Sequence, residues 1–182
     1  MIDGAVLETD RLRLHAATPA LARADLQDRT VLARLLQAEL SPNWPPEFYD
    51  DDARRWVLVM ARENEAECVS FYVLLKREGA RPMLIGSAGF KGMPENGVTE
   101  TGYSLVPEWQ RQGLGTELVA ALLKHAFERM AAQTVCAHTF PELIASQRVL
   151  QKNGFVRRGI SDEEGAIRFE ISSEEWRALR AT

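Results

Sequence analysis

Two glycines one residue apart close the run Gln110-Arg111-Gln112-Gly113-Leu114-Gly115, which lies between a segment patterned as a strand and one patterned as a helix. A turn of this kind must carry the chain from strand to helix in very few residues, and its chemistry is that of an anion cradle. Glycine lets backbone turn tightly and approach a ligand closely. The first turn of the following helix offers N–H groups without intrahelical partners at the positive end of its dipole. Arg111 supplies a nearby cation. The plain structural alternative is a tight strand-to-helix turn with no ligand, and the flanking residues decide between the two.

Before the turn stands Glu100-Thr101-Gly102-Tyr103-Ser104-Leu105-Val106-Pro107-Glu108-Trp109, and after it Thr116-Glu117-Leu118-Val119-Ala120-Ala121-Leu122-Leu123-Lys124-His125-Ala126-Phe127. With these flanks the run resembles motif A of the GNAT superfamily of acyl-CoA N-acyltransferases. That pattern is Gln or Arg, two residues, Gly, one residue, then Gly or Ala, and Gln110, Gly113 and Gly115 fill it. A second block, Ala145-Ser146-Gln147-Arg148-Val149-Leu150-Gln151-Lys152-Asn153-Gly154-Phe155, is similar to the Ser-containing helix and Gly-Phe ending of the RimJ/RimL-like branch. A third, Leu7-Glu8-Thr9-Asp10-Arg11-Leu12-Arg13-Leu14, resembles the start of that branch's first strand. The three matches fall in the family's order and cover nearly the whole chain.

The resemblance implies a single α+β domain over residues 1–182, with a mixed central sheet of six to seven strands and helices on both faces. It implies acetyl-CoA as acyl donor and N-acetyl transfer to a primary amine, either a protein N-terminus or a small molecule, by direct attack in a ternary complex. In such proteins the motif turn holds the coenzyme pyrophosphate, here Gln110, Arg111, Gln112, Gly113, Leu114, Gly115 and Thr116. The pantetheine arm adds like a strand beside the preceding segment, here Leu105 and Val106, with the main-chain N–H near Leu105 aimed at the thioester oxygen. A noncatalytic acyl-CoA-binding sensor of the same fold is the competing expectation.

Composition narrows the classes. Hydrophobic residues make up 46% against 26% charged, enough for one sizeable core and too much for disorder. No segment approaches the ~20 apolar residues of a membrane span, and Asp3 and Glu8 stand where a signal peptide would carry cations. A cytoplasmic protein without a membrane partner is expected, as monomer or homodimer. The formal net charge of −4 argues against a nucleic-acid surface but not against one cofactor bound by a few local cations. Cys68 and Cys136 fit no metal spacing, so free thiols and no metal are expected, with Cys136 packed in a strand.

Patterning places a strand at Arg11–His15, then one broken helix or two short ones over Ala20–Leu40, with Asp25-Leu26-Gln27-Asp28 as the interruption. Pro42, Pro45 and Pro46 make Ser41–Glu47 a loop. A helix follows over Tyr49–Glu63, with Trp56, Val57, Val59 and Met60 toward the core, and then a hairpin of Val69–Lys76 and Met83–Lys91. The remaining elements are a strand Glu100–Val106, helix Thr116–Met130, strand Thr134–Thr139, helix Glu142–Asn153, strands Phe155–Ile160 and Ala166–Ser172 about an acidic turn, and a short terminal helix capped by Ser172 and Glu175. Asn153-Gly154 reads as a helix C-cap.

Amine acylation requires a group that takes the ammonium proton. Glu100 shares a strand face with Gly102 and Ser104, two small residues that leave space beside a carboxylate, and relatives often carry a glutamate base on this strand. An exposed strand-end glutamate is the structural alternative. Ser146 is the candidate donor to the leaving thiolate on the resemblance to the RimJ/RimL-like branch. Leu150 stands where many relatives have a tyrosine, and Leu143 stands where the branch has an asparagine that fixes the coenzyme arm. Arg148 and Lys152 lie one helical turn apart, suited to the coenzyme's outer phosphates or to a solvated basic face. On the acceptor side the candidates are Trp44, in an aromatic and acidic loop, and His138, at a strand end; either also serves as plain structure. His125 is expected to be exposed on the motif helix.

Overall fold

The computed structural model describes residues 6–63, 69–160 and 165–181. Asp3, Cys68 and the acidic turn that begins at Ser161 lie outside the described residues. The chain divides into two compact units, Met1–Gly89 with Tyr103–Leu114, and Phe90–Gly102 with Gly115–Thr182.

In the first unit, β1 (Val6–Glu8) and β2 (Leu12–Ala16) form an antiparallel ribbon, and the alternation in β2 buries Leu12 and Leu14 while exposing Arg13. Two helices follow. Thr18 caps α1 (Pro19–Gln27) by accepting from the Leu21 N–H, and Asp28 ends α1 and caps α2 (Arg29–Leu36) by accepting from the Thr30 and Val31 N–H groups. One short acidic side chain therefore makes two helices out of the ambiguous stretch. A two-residue β3 (Glu39–Leu40) precedes the proline loop and α3 (Asp51–Glu63), whose start is fixed by Asp50 accepting from the Ala53 N–H. This helix turns Val57 and Ala61 inward; Trp56 and Val59, expected in the core, are exposed. Both stripes are apolar, so periodicity alone does not choose between them. β4 (Ser70–Leu75) is buried throughout and pairs antiparallel with β5 (Met83–Phe90) through a bulge at Val73/Leu74, which confirms the hairpin. The core gathers Leu21, Leu32, Trp44, Tyr49, Tyr72 and Leu84.

β6 (Val98–Leu105) has residues in both units, as does β5, and the residue just past each strand bonds to the other strand within one unit: Lys91 N–H to Glu100 C=O, 2.9 Å, and Val106 N–H to Ile85 C=O, 2.9 Å. In the second unit α4 (Leu114–Glu128) buries Leu118, Val119, Leu122, Leu123 and Ala126. β7 (Thr134–Thr139) pairs in parallel with β6, and α5 (Ile144–Lys152), β8 (Val156–Ile160), β9 (Ile167–Ser172) and α6 (Ser173–Arg180) complete the unit. The Ser172–Glu175 capping box is present in both directions.

The strand order is β1-β2-β4-β5-β6-β7-β9-β8, with β3 on β5, which among the described residues makes a mixed sheet of nine strands accompanied by six helices. The excess over six to seven comes largely from β1 and β3, pieces of three and two residues. Among the described residues no helix is long and apolar enough to cross a membrane.

Candidate functional site

Where β6 ends, the backbone is held by its own side chains. Pro107–Trp109 make a single 3-10 turn, Gln110 donates its side-chain amide to the Leu105 carbonyl at 2.7 Å, and Gln112 donates its amide to the Glu108 carbonyl at 2.9 Å. Glu108 is in turn fixed by the Ser41 hydroxyl and by the Asn43 amide at 2.9 Å, and the Ser41 bond holds its carboxyl below the usual range. Arg111 and Gly113 both adopt left-handed φ, 61° and 80°, so the run twists sharply before α4 begins at Leu114. Gly113 meets that requirement without strain. Residues 110–113 are exposed, and the first N–H groups of α4 lack intrahelical acceptors by helix geometry.

Sequence reasoning passed over one cation here. Arg11 donates from Nη1 to the Gln112 carbonyl at 3.0 Å, and a Cβ added at Gly113 would stand 3.4 Å from its Nη2. The signal was its place in the Leu7–Leu14 block, whose spacing from the turn hid the contact. Val106, expected beside the coenzyme arm, is fully buried and spends its N–H on Ile85. Alternation along a strand therefore puts the Leu105 N–H on the opposite edge of β6.

In the second unit, the β6–β7 pairing has only three rungs, Val98 to Glu100 against Thr134 to Cys136. The last rung places Glu100 and Cys136 side by side, with His138 two residues on and on the same face. Lys91 Nζ lies 2.6 Å from Glu100 Oε1, and His138 Nδ1 lies 3.5 Å from Oε2. The Glu100 side chain is 20% exposed. A Cβ built on Gly102 meets nothing within 4 Å, so the space expected beside the carboxylate is open. Cys136 is buried in its strand, and burial pushes its thiol pKa up, with the Arg168 guanidinium opposing and Glu100 and Glu170 adding. Glu100 lies far from His138 in sequence, and the parallel register brings the two together.

On α5, Ser146 is half-buried, while Arg148 and Lys152 are exposed. Leu143 begins the helix without any side-chain cap, but Gln147 donates its amide to the Phe140 and Pro141 carbonyls at 3.3 and 2.8 Å and so ties down the loop before it. Asn153 ends the helix and donates to the Thr116 carbonyl at 3.2 Å, next to the start of α4. Gly154 follows at φ 85°, where a Cβ would overlap Leu179.

A family model for the acetyltransferase (GNAT) domain matches residues 11–156. The chain belongs to the GNAT acetyltransferase family. It is 27% identical over 153 residues to the uncharacterized N-acetyltransferase YjdG of Bacillus subtilis, covering 83% of this chain and 89% of that protein. Among solved structures it shares its fold with the ribosomal-protein-S5-alanine acetyltransferase of Vibrio fischeri, at TM-score 0.66 and 18% identity over 94% of this chain and 98% of that one. It shares it also with Mycobacterium smegmatis RimJ in complex with CoA-disulfide, at TM-score 0.60 and 17% identity over 93% and 88%.

GNAT proteins use acetyl-CoA, and the turn of this chain fits the coenzyme pyrophosphate. It is exposed, its backbone is preset by two left-handed residues, it precedes the free N–H end of a 15-residue helix, and it carries Arg11 and Arg111. Two other expectations for this GNAT chain are overturned. Trp44 does not present itself to an acceptor: it is 1% exposed and donates its indole N–H to the buried Asp25 carboxylate at 2.9 Å. Apolar bulk with one polar handle favours the core wherever an acceptor for the N–H is available. The aromatic that faces solvent in that loop is Phe48, 64% exposed. His125 is buried and stacked on Phe90, with ring centroids 6.1 Å apart, rather than exposed.

Proposed function

We propose that this chain is an acetyl-CoA-dependent N-acetyltransferase that acetylates a primary amine, a protein N-terminus or a small molecule, by direct attack. The observation that carries the reading is Glu100, a carboxylate with one oxygen on Lys91, the other toward His138, and open space at Gly102. Acetyl-CoA supplies an activated acyl group as a thioester. Gln112, Gly113, Leu114, Gly115 and Thr116 offer their N–H groups to its pyrophosphate, with Gln110 holding the turn in shape and Arg11 and Arg111 adding positive charge. Arg148 and Lys152, exposed on α5, are the cations proposed for its outer phosphates. The Leu105 N–H polarises the thioester oxygen as a preorganised dipole.

Glu100 accepts the ammonium proton, directly or through one water, so that neutral nitrogen attacks. His138 and Lys91 hold the carboxylate in place. Ser146 gives its hydroxyl proton toward the departing thiolate. In the loop, Phe48 takes the acceptor-contacting part first assigned to Trp44, because it is the exposed aromatic there. The vicinal acids contribute little free charge: Asp50 caps α3, and Asp51 and Asp52 pair with Arg54 and Arg55.

The test separates binding from chemistry. The wild-type chain is expected to be thermally stabilised by acetyl-CoA and to release thiol with an amine and peptide panel. Glu100→Gln should keep the stabilisation and lose turnover by about 10²- to 10⁴-fold. Unchanged turnover removes Glu100 from the mechanism, and stabilisation without turnover on any amine favours a binding module. Arg11→Gln should weaken acetyl-CoA binding by roughly threefold to tenfold, the scale of one exposed charge-assisted contact, with kcat unchanged.

A further inference from the structure

The last rung of β6–β7 assembles three different donor types on one sheet face. Glu100, Cys136 and His138 each offer an atom within 4.8 Å of the other two. The thiol is free, and His138 Nε2 is buried without a hydrogen-bond partner. One carboxylate oxygen of Glu100 is taken by Lys91, but Oε2 is the one turned to His138. Across β9, Arg168 and Glu170 stand in register with His138 and Cys136 and pair with each other at 2.6 Å. Gly102, two residues from Glu100 on the same strand, is exposed, and a Cβ there would meet nothing within 4 Å.

A thiolate, an imidazole and a carboxylate form a mixed donor set of intermediate softness, which suits Zn²⁺ bound by three protein ligands with a fourth position open. Tetrahedral zinc holds such donors about 3.5 Å apart, so shifts of about an ångström by side chains would close the set. We propose that Glu100, Cys136 and His138 form a zinc site, and that zinc there is a reversible inhibitor because it occupies the carboxylate needed as base. The inhibitory consequence rests on the proposed function; the binding does not. On binding, the Cys136 S–H bond breaks, sulfur bonds to the metal, one proton passes to solvent and no electron is transferred.

The experiment uses the full chain with Cys68→Ser, so that Cys136 is the sole thiol, kept reduced and titrated with Co²⁺. A saturable one-to-one thiolate-to-cobalt absorption band, displaced by Zn²⁺, is expected. Cys136→Ser should abolish the band, and His138→Gln should weaken zinc by more than the roughly tenfold that loss of an outer partner costs. Lys91→Gln should tighten it roughly threefold to tenfold by removing a nearby positive charge. Wild-type turnover should fall with added zinc and that of Cys136→Ser should not. A missing band, or one that survives in a folded Cys136→Ser variant, overturns the site. Equal zinc inhibition of wild type and Cys136→Ser overturns the inhibitory role. If no amine supports turnover, the proposed function falls while the cobalt titration still decides the site.

Discussion

Asp25 and Glu100 are each a carboxylate inside one compact unit, and their surroundings differ in a way that separates structure from chemistry. Asp25 is 2% exposed and accepts from Trp44 Nε1 at 2.9 Å, Tyr49 OH at 3.1 Å and Tyr72 OH at 3.2 Å. Arg54 lies 3.9 Å from its carboxylate and donates to its carbonyl at 2.7 Å. Both carboxylate oxygens thus accept from buried donors, and the side chain is closed off from solvent. Glu100 has one exposed ammonium, one imidazole at 3.5 Å and open space beside it. A saturated buried carboxylate fixes a fold, whereas an unsaturated and accessible one exchanges partners, including protons.

The widest separation is expected between Glu100→Gln and Asp25→Ala when both are measured for stability as well as turnover. Beside the loss of turnover already stated, Glu100→Gln should change the urea-derived unfolding free energy by less than about 1 kcal/mol, as for a partly exposed ion pair. Asp25→Ala removes the buried acceptor shared by Trp44, Tyr49 and Tyr72 and one of the two carboxylates near Arg54. It should cost about 3–5 kcal/mol. An Asp25→Ala protein of near wild-type stability would collapse the contrast.

Removing one donor at a time is the gentler version. Tyr49→Phe or Tyr72→Phe leaves the carboxylate two other donors and should cost about 1 kcal/mol each. The double variant should lose more than the sum, because the last donor alone does not compensate a buried charge. Additive losses would show that solvent reaches Asp25.

Why this contrast escaped the sequence is instructive. Asp25 sits in Asp25-Leu26-Gln27-Asp28, where both acids read as helix breakers. Asp28 does cap α2, but Asp25 is polar in a helix that buries it, and its three partners come from 19, 24 and 47 residues away. Trp44 beside prolines looked like loop surface because nothing local revealed an acceptor for its indole. The Glu100–Cys136–His138 face depends on the register of a parallel pair, which no local pattern encodes. Elements whose signals are local were legible: Thr134–Thr139, the Ser172–Glu175 box, the Asn153–Gly154 helix end and the Gly113 turn all lie where the residues put them. The turn proposed for the coenzyme belongs to this class, apart from Arg11, and the residues proposed for the acceptor do not.

The smallest effect is a pH dependence, and its sign is set by burial. Desolvation pushes the Asp25 carboxyl up despite the donors around it, Trp44 first. Its folded pKa thus exceeds the ordinary unfolded value of about 3.9, and the native state binds more protons than the unfolded chain between the two. The stabilising contribution is therefore complete below about pH 3.9 and declines as pH rises through the folded pKa. Glu8, Glu108 and Glu175 are shifted down and act oppositely, gaining stability above the ordinary value, so the whole-protein curve mixes both signs. Subtracting the Tm profile of Asp25→Asn from that of wild type cancels the exposed acids. The difference should fall as pH rises above the ordinary carboxylate value of about 3.9. A difference that rises would mean Asp25 is stabilised as the anion by Arg54 and its three donors, making it a charged anchor and not a desolvated one.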